Sequence, residues 1–233
     1  VKHIYGLHGW PQLPVGVVAS RPGPLLAATD NFVVTIKGTQ AHAAYPHFGR
    51  DPIIAASQCI GALQTIASRN VSPLDSIVVT VATISGGTAR NIIPQSVRFV
   101  GTMRTLTPEV RVIGRERFFQ IVRGVASSLG CEAVIDWEEG YPVTHNDPQA
   151  TERFFSIATD TLGVGKVLHV DQPTMGGEDF SYYGRYAKAC FFVLGVCPPN
   201  RAAYPTLHQP DFDFNDDALP TGIEVMCRLA LTE

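Results

Sequence analysis

The sequence predicts an α/β protein: part of a mostly parallel α/β domain interrupted by an inserted ferredoxin-like βαββαβ unit. Three observations carry this prediction. Residues 27 to 140 run strand, helix, strand, strand, helix, strand, the order of a split βαβ unit with both helices on one side of an antiparallel sheet. The residues after 140 alternate helices with short apolar strands, the habit of a mostly parallel sheet. The first residues, Val1-Lys2-His3-Ile4-Tyr5-Gly6-Leu7, already read as strand and fit that same sheet.

Within the insertion, Phe32 to Ile36 is a β-branched strand ending at Gly38. Asp51-Pro52 supplies a helix cap and a first-turn proline, and Ile53, Ala56, Ile60, Leu63 and Ala67 behind it form one apolar helical face. Ile77 to Ile84 is a second strand. Val97, Phe99, Gly101 and Met103 alternate with Arg98, Val100, Thr102 and Arg104, a half-buried third strand. Thr107-Pro108-Glu109 opens another helix, with Phe118, Ile121, Val125 and Leu129 expected inside, and Cys131 to Ile135 is the fourth strand. Beyond the Tyr141-Pro142 turn, Asp147-Pro148 opens a helix carrying Phe154, Ala158 and Leu162. A strand near Val167 to Val170, a helix from Glu178, a buried strand Phe191 to Val196 and a last helix ending near Leu231 complete the pattern.

Composition narrows the functional classes. A net charge of -3 with interspersed signs gives no electrostatic footprint for nucleic acid or a membrane surface. The longest apolar runs, such as Cys190 to Val196, are strand-sized and too short to span a bilayer. The 5 cysteines are an odd number without a CxxC pair, which reads as reduced thiols in a cytoplasmic protein. The chain begins with Val1, already in strand and without a secretory leader, so we expect it to be an N-terminally truncated piece of a longer one.

Several residues are of types that carry chemistry. His8 ends the first strand before Gly9-Trp10-Pro11, at the carboxyl end where open α/β sheets place ligands. His208 lies in the loop Thr206 to Phe214. Neutral imidazole is the commonest metal ligand, although a surface or hydrogen-bonded histidine explains either residue on spacing alone. His42 and His47 sit among small residues after the insertion's first strand, where a local turn is the plainer reading. Asn91, in Gly86-Gly87-Thr88-Ala89-Arg90-Asn91, could donate to a carbonyl or simply favour the turn. Arg104 has a fork suited to a carboxylate, or is a solvated face residue. Met175-Gly176-Gly177-Glu178-Asp179-Phe180 is a glycine hinge before a predicted helix, whose dipole accounts for the two acids.

Taken together, Gly6-Leu7-His8-Gly9-Trp10-Pro11, Gly38-Thr39-Gln40-Ala41-His42 with Pro46-His47 and Asp51-Pro52, Ala89-Arg90-Asn91-Ile92-Ile93-Pro94, Gly101-Thr102-Met103-Arg104, Met175 to Ser181 and Leu207-His208-Gln209-Pro210 resemble the M20 metallopeptidase family. The likeness is to its amidohydrolase branch of hippurate hydrolases and N-acyl-amino-acid deacylases, and the motifs occur in family order along essentially the whole chain. The resemblance implies that residues 1–26 and 141–233 belong to a metallohydrolase domain and that 27–140 form a lid through which two copies dimerise. It implies His8 and His208 as ligands in a centre of two divalent ions (Mn, Zn, Co or Ni). It implies His42, reaching into the partner subunit's site, and Asn91 as catalytic donors, and counts Arg104 and Gly177 with them as substrate-binding. The implied substrate is a small N-acyl amino acid or short peptide. The family's Cys-Gly-His-Asp and Glu-Glu segments, which supply the other ligands and the general base, belong upstream of His8, and none of the five cysteines here stands in such a motif. The chain by itself is therefore expected to be inactive, with room for no metal at all. A metal-free dimerising or ligand-binding module of the same fold is the alternative; a small regulatory ferredoxin-like binder, the third reading, leaves the flanks unexplained.

Overall fold

Among the described residues, three of four α-helices begin where a capping oxygen is followed at once by proline. Asp51 accepts the Ile53 N–H at 2.8 Å, Thr107 the Val110 N–H at 3.2 Å and Asp147 the Ala150 N–H at 2.9 Å. Each cap satisfies donors the first turn leaves unpaired, and proline loses nothing there. The computed structural model describes residues 1–199, 201 and 204–232. In chain order the elements are β1 (His3–Pro14), β2 (Val18–Ser20), β3 (Gly23–Leu26), β4 (Ala28–Lys37), β5 (Ala41–His42) and α1 (Pro52–Leu63). Then come β6 (Ile77–Gly86), β7 (Ile92–Ile93), β8 (Ser96–Thr105), α2 (Pro108–Ser128) and β9 (Glu132–Glu139). The last are β10 (Thr144–Asn146), α3 (Pro148–Leu162), β11 (Val167–His169), β12 (Lys188–Cys197) and α4 (Leu219–Leu231). Two units result: Val1–Leu26 with Thr144–Glu233, called unit 1, and Ala27–Val143, called unit 2. Asn200, Ala202, Ala203 and Glu233 lie outside the described residues.

In unit 2 the strand order is β6-β8-β4-β9 with every pairing antiparallel. This is the split βαβ order that the sequence predicts. One face packs Phe32, Val34, Ile36, Val97, Phe99 and Met103 under α1 and α2, while Arg98 and Arg104 point to the other. Phe118 centres the core, its ring 4.4 Å from Phe32 and 5.1 Å from Trp137. Gly101 is required: a side-chain carbon there would stand 2.0 Å from the Thr80 carbonyl oxygen and 2.5 Å from the Phe32 ring.

The helix faces differ from those the sequence spacing suggests. On α1 the buried residues are Ala55, Ala56, Cys59 and Leu63; Ile53 and Ala67 are exposed. The buried row runs through Ala55, Ala56, Cys59 and Leu63, which turns Ile53 to solvent. On α2 the inner row is Val110, Gly114, Phe118, Val122 and Ala126, one position on from Ile121 and Val125, and Leu129 is exposed. Gly114 fixes that row, since its bare backbone lies against Ile77 and Met103. Asp30, 1% exposed, receives two N–H bonds from Arg111 at 2.9 and 2.8 Å. The same guanidinium also reaches the carbonyls of Thr29 and Gly140.

Unit 1 holds a mixed sheet ordered β1-β12-β2-β11, parallel at both ends and antiparallel between β12 and β2. Ala189 to Val196 are buried on both faces, which is why β12 reads as an unbroken apolar run. Phe192, Leu194 and Val196 face α3 and α4 and meet Phe154, Ala158, Val225 and Leu229; Ala189 and Phe191 face Leu25, Leu26 and Phe180 on the other side. Asn146, fully buried, ties β10 in: its amide donates to the Arg21 and Phe191 carbonyls and its oxygen accepts the Phe191 N–H at 2.7 Å. The helix predicted from Glu178 is a 3-10 stretch, Asp179–Arg185. Its sequence, Asp-Phe-Ser-Tyr-Tyr-Gly-Arg, pairs poor helix formers with a glycine, so a long α-helix is not sustained. Among the described residues no helix is long and apolar enough to cross a membrane.

Candidate metal and substrate-binding residues

Each unit carries part of the candidate set. In unit 1, Tyr5 and Leu7 pack toward α3 and α4, so Gly6, His8 and Trp10 occupy the opposite face of β1. The Gly6 backbone accepts the Phe180 ring, because a side-chain carbon there would be only 2.6 Å from it. His8 pairs in register with Val193, and its ring stands 6.4 Å from Trp10, edge-on. Its Nδ1 lies 2.8 Å from the Gly9 carbonyl. With the proton on Nδ1 and donated there, the Nε2 lone pair is left facing outward, the arrangement that prepares a histidine to hold a metal ion. Val193, Ala19 and Leu168 continue the His8 row across the sheet and floor a mainly apolar cavity of about 280 Å³.

His208 is the one described non-glycine residue with a left-handed backbone, φ 66°. Its loop is closed by the Thr206 N–H on the Gln209 side-chain oxygen (2.7 Å) and by the Phe212 N–H on the Gln209 carbonyl (3.0 Å). Phe214, at the end of the loop, rests on bare Gly9, where a side-chain carbon would come within 2.8 Å of the ring. The end of the loop is thereby seated on the α3/α4 face of β1, one residue past His8 and across the strand from its side chain. Holding a non-glycine residue at positive φ costs free energy that the surrounding contacts must offset, and such positions concentrate at functional sites.

Glu178 is a carboxylate whose setting the sequence spacing does not reveal. With no α-helix after it, dipole complementarity no longer accounts for it. It is half-buried, and burial pushes its carboxyl above the usual range, reinforced by a hydrogen bond with Asp179 and opposed by the Phe180 N–H and the charge of His8. The seating of Phe180 on Gly6 is what brings it within electrostatic reach of His8. Gly177, half-buried, immediately precedes it in an irregular link. Among the described residues no group of three or more histidine, cysteine or acidic side chains is gathered as for a metal ion. His8 and His208 fit two ligand positions of such a centre by donor type.

In unit 2 a two-residue ladder joins sequence-distant candidates. β5 pairs with β7, Ala41 opposite Ile93 and His42 opposite Ile92, and the Ala43 N–H donates to the Asn91 carbonyl at 2.9 Å. His42 and Asn91 are thus neighbours, both exposed. The Ala44 N–H donates to His42 Nδ1 at 3.1 Å. A neutral His42 then carries its proton on Nε2 and presents it as a donor. The Tyr45 ring lies 5.7 Å from that of His42, and His47 and Phe48 pack beyond it with their ring centres 4.1 Å apart. Arg104 is placed elsewhere. It sits at the far end of β8, between Thr29 and Val78, about 25 Å from the Ser96 end at the usual rise per residue.

The chain as a whole is similar to known proteins. The model of peptidase family M20/M25/M40 matches residues 1–232. The chain is 40% identical to N-acetyl-L-cysteine deacetylase of Bacillus subtilis (strain 168), over 94% of its own length and 51% of that protein's. It is 38% identical to N-acetyldiaminopimelate deacetylase of Bacillus pumilus, covering 96% of this chain and 57% of that protein. The crystal structure of Bacillus subtilis YXEP protein, described as a dinuclear metal binding peptidase from the M20 family, superposes with a TM-score of 0.80 at 30% identity. That match spans 99% of this chain and 56% of the other. The chain therefore spans between half and three-fifths of the length of these relatives.

Proposed function

Because this chain belongs to peptidase family M20/M25/M40, we propose that it is the lid and C-terminal part of a metal-dependent amidohydrolase that cleaves the amide bond of N-acyl amino acids. The observation that carries the reading is the Ala44 N–H on His42 Nδ1, which turns an exposed histidine into an oriented Nε2–H donor next to Asn91. Two such donors, held by the β5–β7 ladder before any substrate arrives, suit the negative charge that develops on an amide oxygen during attack. Arg104 takes the substrate carboxylate through its fork. His8 and His208 hold divalent metal, which when bound supplies Lewis acidity toward the scissile carbonyl. Glu178 and the Gly177 backbone line the same side of β1. The remaining ligands and the general base come from outside these 233 residues, so the chain by itself does not turn over substrate.

His42 and Asn91 stand at one end of the β4–β8 sheet and Arg104 at the other. A substrate of amino-acid size cannot touch both in one copy. We therefore assign them to two copies paired through unit 2, with His42 and Asn91 serving the partner's site. The edge strand β6, with exposed Val78 and Ile84, offers the pairing surface. The five free cysteines agree with a reducing, cytoplasmic setting.

The test is hydrolysis of N-acetyl amino acids and N-benzoylglycine by the full-length protein loaded with manganese or zinc. His42→Ala should lower kcat by roughly a hundred- to a thousandfold with metal content unchanged, and His8→Ala should lose bound metal. Mixing His42→Ala with His8→Ala protein should restore about a quarter of the activity if donors and ligands come from different copies. An unaffected rate in His42→Ala would sink the reading.

A further inference from the structure

On the outer face of unit 2, next to His42 and Asn91, lies a polar cleft of about 430 Å³. Gln40, two residues before His42, and Ile92, its register partner, form one wall. Ser85, Gly87 and Thr88 form another, and Arg98 stands in it. Arg98 is outward on β8, since Val97 and Phe99 on either side of it are buried. Its cross-strand neighbours are Ser85 and Thr35, both neutral. Among the described residues it takes part in none of the ion pairs, which involve Arg111, Arg115 and Arg228. A planar fork of five N–H donors is therefore set in a concave, hydroxyl- and amide-lined site with no counter-charge paired to it among the described residues. The side chain of Gly86 could not be larger, because a carbon there would stand 2.7 Å from Val97 and 3.1 Å from the Ser96 carbonyl oxygen. Gly87 has φ 81°, and the two glycines together hold the turn that walls the cleft.

We infer that this cleft is a carboxylate subsite with Arg98 as its anchor, and that the preferred substrate is an N-acyl amino acid whose side chain ends in a second carboxylate. The inference rests on the reading of His42 and Asn91 given above. With the α-carboxylate on Arg104 and the amide under His42 and Asn91 of the other copy, a side chain of glutamate length extends along the wall the cleft shares with His42. Carboxylate on guanidinium is a charge-assisted, two-pronged contact, so a neutral side chain of the same shape forfeits most of it.

The experiment is an amide and arginine side-chain NMR titration of this chain with N-acetyl-L-glutamate and, separately, its neutral isostere N-acetyl-L-glutamine. We expect saturable shifts of the Arg98 Nε–H and the Gly87 and Thr88 amides with the glutamate ligand, and about tenfold weaker binding of the glutamine ligand. Arg98→Gln should abolish these shifts and Arg98→Lys keep part of them, while Arg104→Gln should weaken binding yet still give the Gly87 and Thr88 shifts at saturation. A spectrum unchanged away from the cleft shows that a variant is still folded. Equal binding of the two ligands, shifts that survive Arg98→Gln, or equal displacement by inorganic phosphate would each overturn the proposal. Because the titration reads binding without turnover, Arg98-dependent shifts alongside an inactive full-length protein would sink the hydrolase reading and leave the subsite standing. Active full-length protein without shifts would do the reverse.

Discussion

Unit 2 is continuous in sequence and pairs the strands of its four-stranded sheet only antiparallel; unit 1 is assembled from two stretches and mixes both modes of pairing. Unit 2 buries one sheet face under two helices and leaves the other uncovered, so its strands alternate. Unit 1 runs β12 through its middle with both faces covered, so that strand does not alternate. Their polar interiors differ as well. Unit 2 encloses an ion pair, Asp30 with Arg111, whereas unit 1 is fastened by the neutral amide of Asn146. The difference teaches where each unit is vulnerable: one to loss of a charge, the other to loss of shape.

The largest expected effect follows from that contrast. Arg111→Met strands the Asp30 carboxylate in a site 1% exposed and should cost unit 2 about 3–5 kcal/mol. Chemical denaturation should then move the unit 2 transition to lower denaturant, with unit 1 following only by the closure entropy it loses; an undisturbed unit 2 transition would contradict the assignment. Phe154→Ala should do the converse at about 3–4 kcal/mol, emptying the space over Phe192, whose ring lies 4.6 Å away. The near-ultraviolet signal of Trp10 reports unit 1 and that of Trp137 unit 2, so the two losses are separable.

The smallest effect is a pH dependence shared by both units. Burial pushes the Cys190 thiol of unit 1 from 9.0 to about 12 and the Cys59 thiol of unit 2 to about 11. In the unfolded chain these thiols ionise near 9, while the folded protein keeps them protonated. Their contribution is therefore whole below pH 9 and declines above it, through about 11 for Cys59 and about 12 for Cys190. Melting temperature measured from pH 8 to 11 should fall, and Cys190→Ala should reduce the slope for unit 1. A slope unchanged in that variant would remove Cys190 as its source.

Local chemistry was legible in the sequence where it is decided within a few residues. Asp51-Pro52, Thr107-Pro108 and Asp147-Pro148 announce three helix starts because cap and proline act on adjacent backbone groups. The alternation from Val97 to Met103 announces β8 because one face is buried. Errors arise where a neighbour in space decides. The inner row of α2 is set by the fit of Gly114 against Ile77 and Met103, which no periodicity encodes, and the expected helix after Glu178 yields to its aromatic and glycine content. The candidate site follows the same rule. His8, His42, Asn91 and His208 are visible as residue types in telling settings. The tie between His42 and Asn91 is a backbone ladder across some fifty positions, and the reach of Glu178 to His8 depends on a ring seated on Gly6. Neither leaves a mark in local sequence.

The way the chain enters and leaves unit 2 has a consequence for assembly. β3 and β10 lie side by side with Leu26 opposite Thr144, and just beyond them the Thr29 N–H donates to the Tyr141 carbonyl. Bringing those two points together in an unfolded chain means closing a loop of roughly 115 residues, at a loop-closure entropy of about 4 kcal/mol. Once unit 2 has folded by itself, that entropy is already spent, and the two halves of unit 1 are delivered abreast as though joined by a short turn. Pulse-labelled hydrogen exchange should accordingly find β4 and β8 protected before β12. For the discontinuous unit, the insertion is the hairpin that makes it foldable.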